Sequence, residues 1–244
     1  DGRADLIAER IYYPNRMSFG ADGVTISEGQ DAVQAGFTRA AEALAALPTL
    51  SRRGGRRGSV RICSLDRAED EFAAAEALGG RHIIWGDADY PPLLAEIEDA
   101  PPAFTVLGDA ALLSRRSVAV VGARNASANG RRFTRTIARD LGEAGLVVVS
   151  GMARGIDGAA HDGALATGTV AVLAGGADNI YPPEHADLHA AIREGGAILA
   201  EHPPGTVPQA RHFPFRNRII SGLSLGTLVV EAAKRSGSLI TARL

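Results

Sequence analysis

Along most of this chain the apolar positions switch between two periods, and each switch marks a change of element. Residues 117–121 read Ser-Val-Ala-Val-Val, a short continuous apolar run of the kind a strand covered on both faces requires. Residues 129–143 instead space Phe133, Ile137 and Leu141 four apart. That is one stripe of an amphipathic helix, and Gly145 lies just past its end. The exchange then repeats as strand 146–149, helix 156–166, strand 169–173, helix 185–193, strand 197–200, helix 215–223 and strand 227–230, with a helix starting near Ser238. Upstream, 66–78 reads as a helix, 82–85 as a short strand, 92–98 as helical and 103–107 as a second short strand. The pattern predicts an α/β fold over residues 59–244: an extended Rossmann-like, mostly parallel sheet with helices on both faces. The last helix has barely begun at Leu244, so a further strand is expected to follow in the parent protein.

Residues 1–58 follow a different pattern and predict a small helical N-terminal region. Positions 31–47 are alanine-rich and helical in period, with Pro48 as the expected stop. Residues 51–58, Ser-Arg-Arg-Gly-Gly-Arg-Arg-Gly, read as a flexible basic linker. The first thirty residues carry only weak periodicity.

Composition excludes several classes. At 45% hydrophobic and 22% charged, the chain has material for a full core. It has no apolar run of membrane-spanning length and no signal-peptide apolar region, which implies a cytoplasmic protein without a membrane partner. Cys63 is the only cysteine, so neither a disulfide framework nor a cysteine-rich metal site is expected. A net charge of −2, from 26 basic and 28 acidic residues, rules out a histone-like cationic coat. It leaves room for a local basic groove, because distribution decides where phosphate binds.

In a parallel sheet, ligands sit outside the carboxyl ends of the strands, near the point where strand order reverses. Two predicted strand-to-helix loops combine glycine with arginine there: 122–130, with Gly122, Arg124 and Ser127, and 150–157, with Gly151 and Arg154. Glycine lets backbone N–H groups approach an anion, and a helix N-terminus favours negative charge. Ser127 and Asp157 are also natural helix caps. Neither loop is a dinucleotide or P-loop fingerprint, so no nucleotide cofactor is expected.

Other matches carry little. Residues 222–226 fit G-x-S-x-G, but a helix precedes the serine and a strand follows, the reverse of a nucleophile elbow. His185 and His189 lie four apart without a third ligand and read as surface histidines. Ser150, Asp157 and His161 form a hydrolytic set only with a base-to-nucleophile geometry that nothing in the pattern supplies, and capping plus packing explains them more simply. No catalytic residue and no metal ligand is expected.

Residues 211–218, Arg-His-Phe-Pro-Phe-Arg-Asn-Arg, gather three guanidinium groups, Asn217 and two rings. Guanidinium forks fit phosphate, and rings offer faces to unstacked bases, as a single-stranded nucleic-acid site needs. The same residues fit a core phenylalanine among solvated arginines. Placement at strand ends favours the binding reading, with Phe213 facing a base and Phe215 packing inward. Lys234, Ser236 and Gly237 follow the strand 227–230 and fall on the same edge.

Taken in order, residues 121–125, 150–157, 212–223 and 234–242 resemble the DprA/Smf family of DNA-processing proteins. The likeness runs from about Ser59 to Leu244, and residues 37–55 resemble the end of that family's sterile-alpha-motif-like helical domain. The resemblance implies a homodimer that binds single-stranded DNA in a basic pocket and delivers it to a RecA-type recombinase during natural transformation. It would place Arg124, Arg211, Phe213, Arg216 and Arg218 on DNA, with Lys234 and Ser236 close by. The competing reading is a phosphoribohydrolase of the lysine-decarboxylase-like type. Its P-G-G-x-G-T-x-x-E loop is matched only by Gly226-Thr227, with Glu231 one place late.

Overall fold

The computed structural model describes residues 64–233 and 236–244, together with Ala46, Pro48, Thr49 and Arg52. Residues 1–30, most of the helix expected over 31–47, most of the basic linker, Lys234 and Arg235 lie outside the described residues. The chain divides into two units, residues 1–74 with 101–103, and residues 75–100 with 104–244. In the first unit Pro48 is itself helical and does not end the helix; a proline lacks only a donor, and its carbonyl here accepts from Arg52 Nε at 3.1 Å.

The described elements run α1 (Leu65–Ala77), β1 (Arg81–Ile84), α2 (Pro92–Ala95), β2 (Ala103–Gly108), β3 (Ser117–Gly122), α3 (Ala128–Glu143), β4 (Val147–Ser150) and α4 (Ile156–Ala164). They continue with β5 (Thr169–Leu173), α5 (Ala186–Gly195), β6 (Ala197–Ala200), α6 (His212–Gly222), β7 (Thr227–Val230) and α7 (Gly237–Thr241), with single 3₁₀ turns at Ala110–Ser114 and Pro183–His185. The strands form one sheet in the order β1-β2-β6-β5-β4-β3-β7. β6, β5, β4, β3 and β7 are mutually parallel, and β2 runs antiparallel to β6 with Thr105 opposite Ala200. This is the extended, mostly parallel Rossmann-like sheet the apolar runs predict.

Alternation along each strand builds a core on both faces. Val121, Val149, Val170 and Val172 point to one side, against Ile219, Ile220 and Leu223 of α6 and Leu94 of α2. Val120 and Val148 point to the other, against Ala138 of α3 and Ile156, Ala160 and Ala164 of α4. Ile192 of α5 covers Ala171, Leu173 and Ile198 on that side. Each fully buried aliphatic side chain contributes about 1.5–3 kcal/mol. The chain leaves β3 toward the α3 face and leaves β7 toward the face of α6, against which α7 packs. Strand order therefore reverses between β3 and β7, and the crevice for a ligand lies at their carboxyl ends.

Helix α3 departs from expectation. Phe133 is exposed, Ile137 and Leu141 are half-buried, and the buried stripe is Gly130, Thr134, Ala138 and Gly142. Close approach to α4 and the loop after it selects small residues. A Cβ on Gly142 would stand 2.0 Å from Thr167 Oγ1, and one on Gly163 would stand 2.3 Å from the Arg135 carbonyl. Helix α6 also begins three residues earlier than its periodicity suggests, at His212.

Candidate nucleic-acid interface

The loops leaving β3, β4 and β7 meet at the crevice, and internal packing uses much of what the sequence offers to a ligand. A Cβ on Gly122 would lie 1.9 Å from the Val230 carbonyl, and one on Gly151 would lie 2.3 Å from the Arg216 guanidinium. The protein's own close contacts thus require glycine at both positions. Asp157 does not cap α4 with its side chain; Gly155, at φ 78°, holds the N-cap position. The buried Asp157 carboxylate instead accepts from the Ala153 N–H at 3.4 Å, and the nearby amides of Gly122 and Gly151 also favour its charged form. Burial pushes its carboxyl upward, against the pull of the Arg216 guanidinium.

Helix α6 divides the arginine-rich segment. Arg216, Asn217 and Arg218, expected on DNA, are all buried, at 6%, 9% and 7% exposure, and each has a partner inside the protein. Arg216 donates to the Gly151 carbonyl at 2.6 Å and to the Val172 carbonyl, clamping the ends of β4 and β5. Burial pulls it down to about 10, so it stays cationic at neutral pH. Asn217 Nδ2 donates to the Gly237 carbonyl at 3.4 Å. Arg218 pairs with the buried Glu201 at 2.6 Å and with Asp99 at 3.3 Å. Phe215, expected to pack inward, is instead exposed at 43%, while Phe213 is half-buried.

Phe213 is the centre of what the edge presents. The Arg124 guanidinium lies over its ring, 5.1 Å from the centroid, and that of Arg216 lies 5.9 Å from it. Tyr181 meets it edge to face at 5.7 Å. Arg124, Arg154 and Arg211 are exposed, and Arg154 forms an ion pair with Glu184 that lowers the Glu184 carboxyl below its usual range. Tyr181 was not singled out by sequence; only its position between a strand end and a helix start could have drawn notice.

Ser127 caps α3 by accepting from Gly130 N–H at 2.9 Å. Its own N–H donates to Glu231 Oε2 at 2.8 Å and its hydroxyl to Oε1, so a carboxylate of the chain occupies the helix N-terminus at the switch point. Those hydrogen bonds lower the Glu231 carboxyl below its usual range. Glu231 has φ 49° and lies on no helix, unlike the glutamate of the phosphoribohydrolase loop. Ser236 Oγ pairs with Ser238 Oγ at 2.8 Å, and Gly237 is exposed at the start of α7.

The discounted motifs have internal partners. Ser224 Oγ donates to the Ile220 carbonyl at 2.8 Å, and Ser150 Oγ to the Val120 carbonyl at 2.6 Å. His185 and His189 are not surface residues in the expected sense: their rings meet the Met152 and Ala177 carbonyls at 3.1 Å each, and His189 is buried. Among the described residues no three metal-ligating side chains cluster, and no helix is long and apolar enough to cross a membrane.

Fold and edge together define an extended Rossmann-like protein that offers arginines and rings at its strand ends where a nucleotide fold would offer a phosphate loop. The family follows from comparison: the chain belongs to the DNA recombination-mediator protein A family, whose model matches residues 81–244. A DprA-like N-terminal HHH domain model matches residues 33–74, in keeping with the small helical N-terminal region expected ahead of the sheet. Protein Smf of Escherichia coli is 48% identical over 166 residues, covering 66% of this chain and 44% of its own length. The DNA processing protein DprA of Bacillus subtilis is 46% identical over 174 residues, covering 70% and 59%. The chain thus spans about half the length of these relatives. The X-ray structure of DNA processing protein A from Streptococcus pneumoniae matches with a TM-score of 0.72 at 31% identity, covering 98% of this chain and 81% of that one. The Helicobacter pylori protein, described for its single-stranded DNA binding mode, matches with a TM-score of 0.62 at 31% identity, covering 66% and 74%.

Proposed function

We propose that this chain is a non-enzymatic binder of single-stranded DNA, held along the carboxyl ends of the strands. The observation that carries the reading is the exposed Arg124 guanidinium lying on the half-buried Phe213 ring, with exposed Arg154 and Arg211 on the loops beside the sheet. Membership of a recombination-mediator family supports it, as does likeness to a Helicobacter pylori relative described as binding single-stranded DNA. Arginines hold phosphates and rings hold bases, so sequence preference is small and duplex DNA, with its bases paired, binds less well. Within this reading Lys234, Ser236 and Gly237 add to the phosphate path from the loop after β7. Arg216, Asn217 and Arg218 support the site from beneath.

The test compares single-stranded and duplex oligonucleotides by gel shift at several salt concentrations. Arg124→Ala is expected to lower affinity and to reduce the salt slope by about 0.7, one single-strand phosphate's share of counterion release. Phe213→Ala is expected to cost on the order of 1–3 kcal/mol with the slope unchanged. Folded variants that both bind as the parent does would refute the assignment. Delivery of the strand to a RecA-type recombinase, homodimer formation and a cytoplasmic setting belong to the same proposal. Failure of the chain to speed recombinase loading onto a protein-coated strand would remove the delivery step alone.

A further inference from the structure

The fold places a second ring on this edge, from a segment that neither the arginine-rich run nor the glycine loops include. Tyr181 leads into the 3₁₀ turn Pro183–His185 and is 47% exposed, although Pro182 beside it is buried. An exposed tyrosine alone means nothing, since large apolar groups appear singly on every protein surface. This one is fixed from two sides. Its ring packs edge to face on Phe213, with 5.7 Å between centroids, and Phe213 in turn carries the Arg124 guanidinium. The Arg154–Glu184 ion pair ties the loop after β4 to the 3₁₀ turn that Tyr181 leads into. An aromatic face held rigid among phosphate-binding cations is what a single-strand platform consists of.

The angle between the rings adds a specificity. Their planes are tilted 62° to one another. Consecutive bases in a helically stacked strand lie parallel, so two bases that each rest on one of these rings cannot also rest on each other. Resting on the protein means leaving the stack.

We infer that Tyr181 is a base-stacking residue, and that with Phe213 it makes a platform for unstacked bases which favours weakly stacking pyrimidine runs over adenine runs. The inference rests on the single-strand reading above and assigns to it a residue and a preference. Thymine runs unstack at little cost, whereas adenine runs give up strong base–base contacts on binding. The preference is thus created by the tilt and needs no hydrogen bond to a base edge.

The experiment measures binding of oligo(dT), oligo(dA) and their duplex, all of one length, to the parent chain and to Tyr181→Phe, Tyr181→Leu and Tyr181→Ala. The leucine variant keeps apolar contact with Phe213 and removes only the aromatic face, and thermal melting of each variant checks the fold. The parent is expected to bind oligo(dT) more tightly than oligo(dA). Tyr181→Leu and Tyr181→Ala are expected to lose on the order of tenfold in oligo(dT) affinity, with the dT-to-dA ratio falling toward one. Tyr181→Phe should stay within about twofold of the parent, because the stack uses the ring and not the hydroxyl. Leucine and alanine variants that are folded and bind both strands as the parent does overturn the inference. So does a loss that leaves the dT-to-dA ratio unchanged, or a change confined to oligomeric state, which would make Tyr181 a protein-contact residue. A parent chain that binds no single strand at all would instead defeat the proposed function, an outcome read before any variant is compared.

Discussion

Arg216 and Arg218 are buried, while Arg211, only five and seven positions earlier, and Arg124 across the sheet edge are exposed. Each is sequestered, but by different means: Arg216 by two backbone carbonyls, Arg218 by the Glu201 carboxylate. Sequence reasoning cannot separate a guanidinium on phosphate from one on a carbonyl, because both need the same fork of donors. What decides is burial, and the signal is faint, since residues 216–220 of α6 are buried consecutively and give the helix no polar phase. The same absence of phase explains why Phe215, expected inside, is exposed. Removing Arg218 leaves Glu201, whose side chain is only 5% exposed, without its main partner. Arg218→Ala is expected to cost about 3–5 kcal/mol at neutral pH, measured by denaturant unfolding. Burial already raises the Glu201 carboxyl, and without the arginine it rises further. A raised folded-state pKa stabilises below the unfolded value and loses that stabilisation as pH climbs through the folded one. The variant should therefore be less destabilised in mild acid than in mild alkali; an equal deficit at both would contradict the pairing.

Helix α3 makes the corresponding point for an element. Its existence and both ends are legible: the structure gives Ala128–Glu143 where the pattern predicts 129–143. Which face it buries is not legible, because a stripe of large apolar residues usually marks the core side. Here the neighbours come in at close range, α4 against Ala138, Thr167 against Gly142 and the Glu231 side chain against Gly130, and closeness selects small residues over Phe133. Glycine and alanine carry almost no weight in a hydrophobic pattern, so the true stripe is hidden beneath the false one. Two substitutions separate them. Ala138→Leu forces a large side chain into a position with 0% exposure and is expected to cost about 1–3 kcal/mol or more by overpacking. Phe133→Ser removes a ring that is 53% exposed and is expected to stay within about 0.5 kcal/mol. Thermal melts that ranked these two the other way would mean that α3 packs on its Phe133 face.

At the scale of the whole molecule the parallel strands and their order of appearance are legible, because continuous apolar runs alternating with helices call for a parallel sheet covered on both faces. The network beneath the site is not, since it depends on neutral and ionised groups brought together from distant positions. His161 shows what that network implies for the molecule's response to acid. Thr169 Oγ1 donates to the Val148 carbonyl at 2.6 Å, so its lone pair accepts the proton of His161 Nδ1 at 2.9 Å. The neutral ring then leaves Nε2 bare, buried and without a partner among the described residues. A second proton on Nε2 would have no acceptor, in keeping with burial lowering His161 to about 3. Burial lowers His82 and His202 to about 4 as well. For each, the unfolded chain binds the proton first. Their contribution to stability is full above the ordinary histidine value of 6.5 and is lost progressively as pH falls toward 4 and 3. His161 alone should account for about 2 kcal/mol of the stability lost between neutrality and about pH 5. Asparagine places an amide where Nδ1 stands and cannot ionise. His161→Asn is therefore expected to be less stable than the parent at neutral pH, through the space it leaves, yet to lose less on acidification. Urea midpoints at about pH 7.5 and about pH 5 for both proteins test this, and parallel pH dependences would show that His161 is not among the groups that set acid stability.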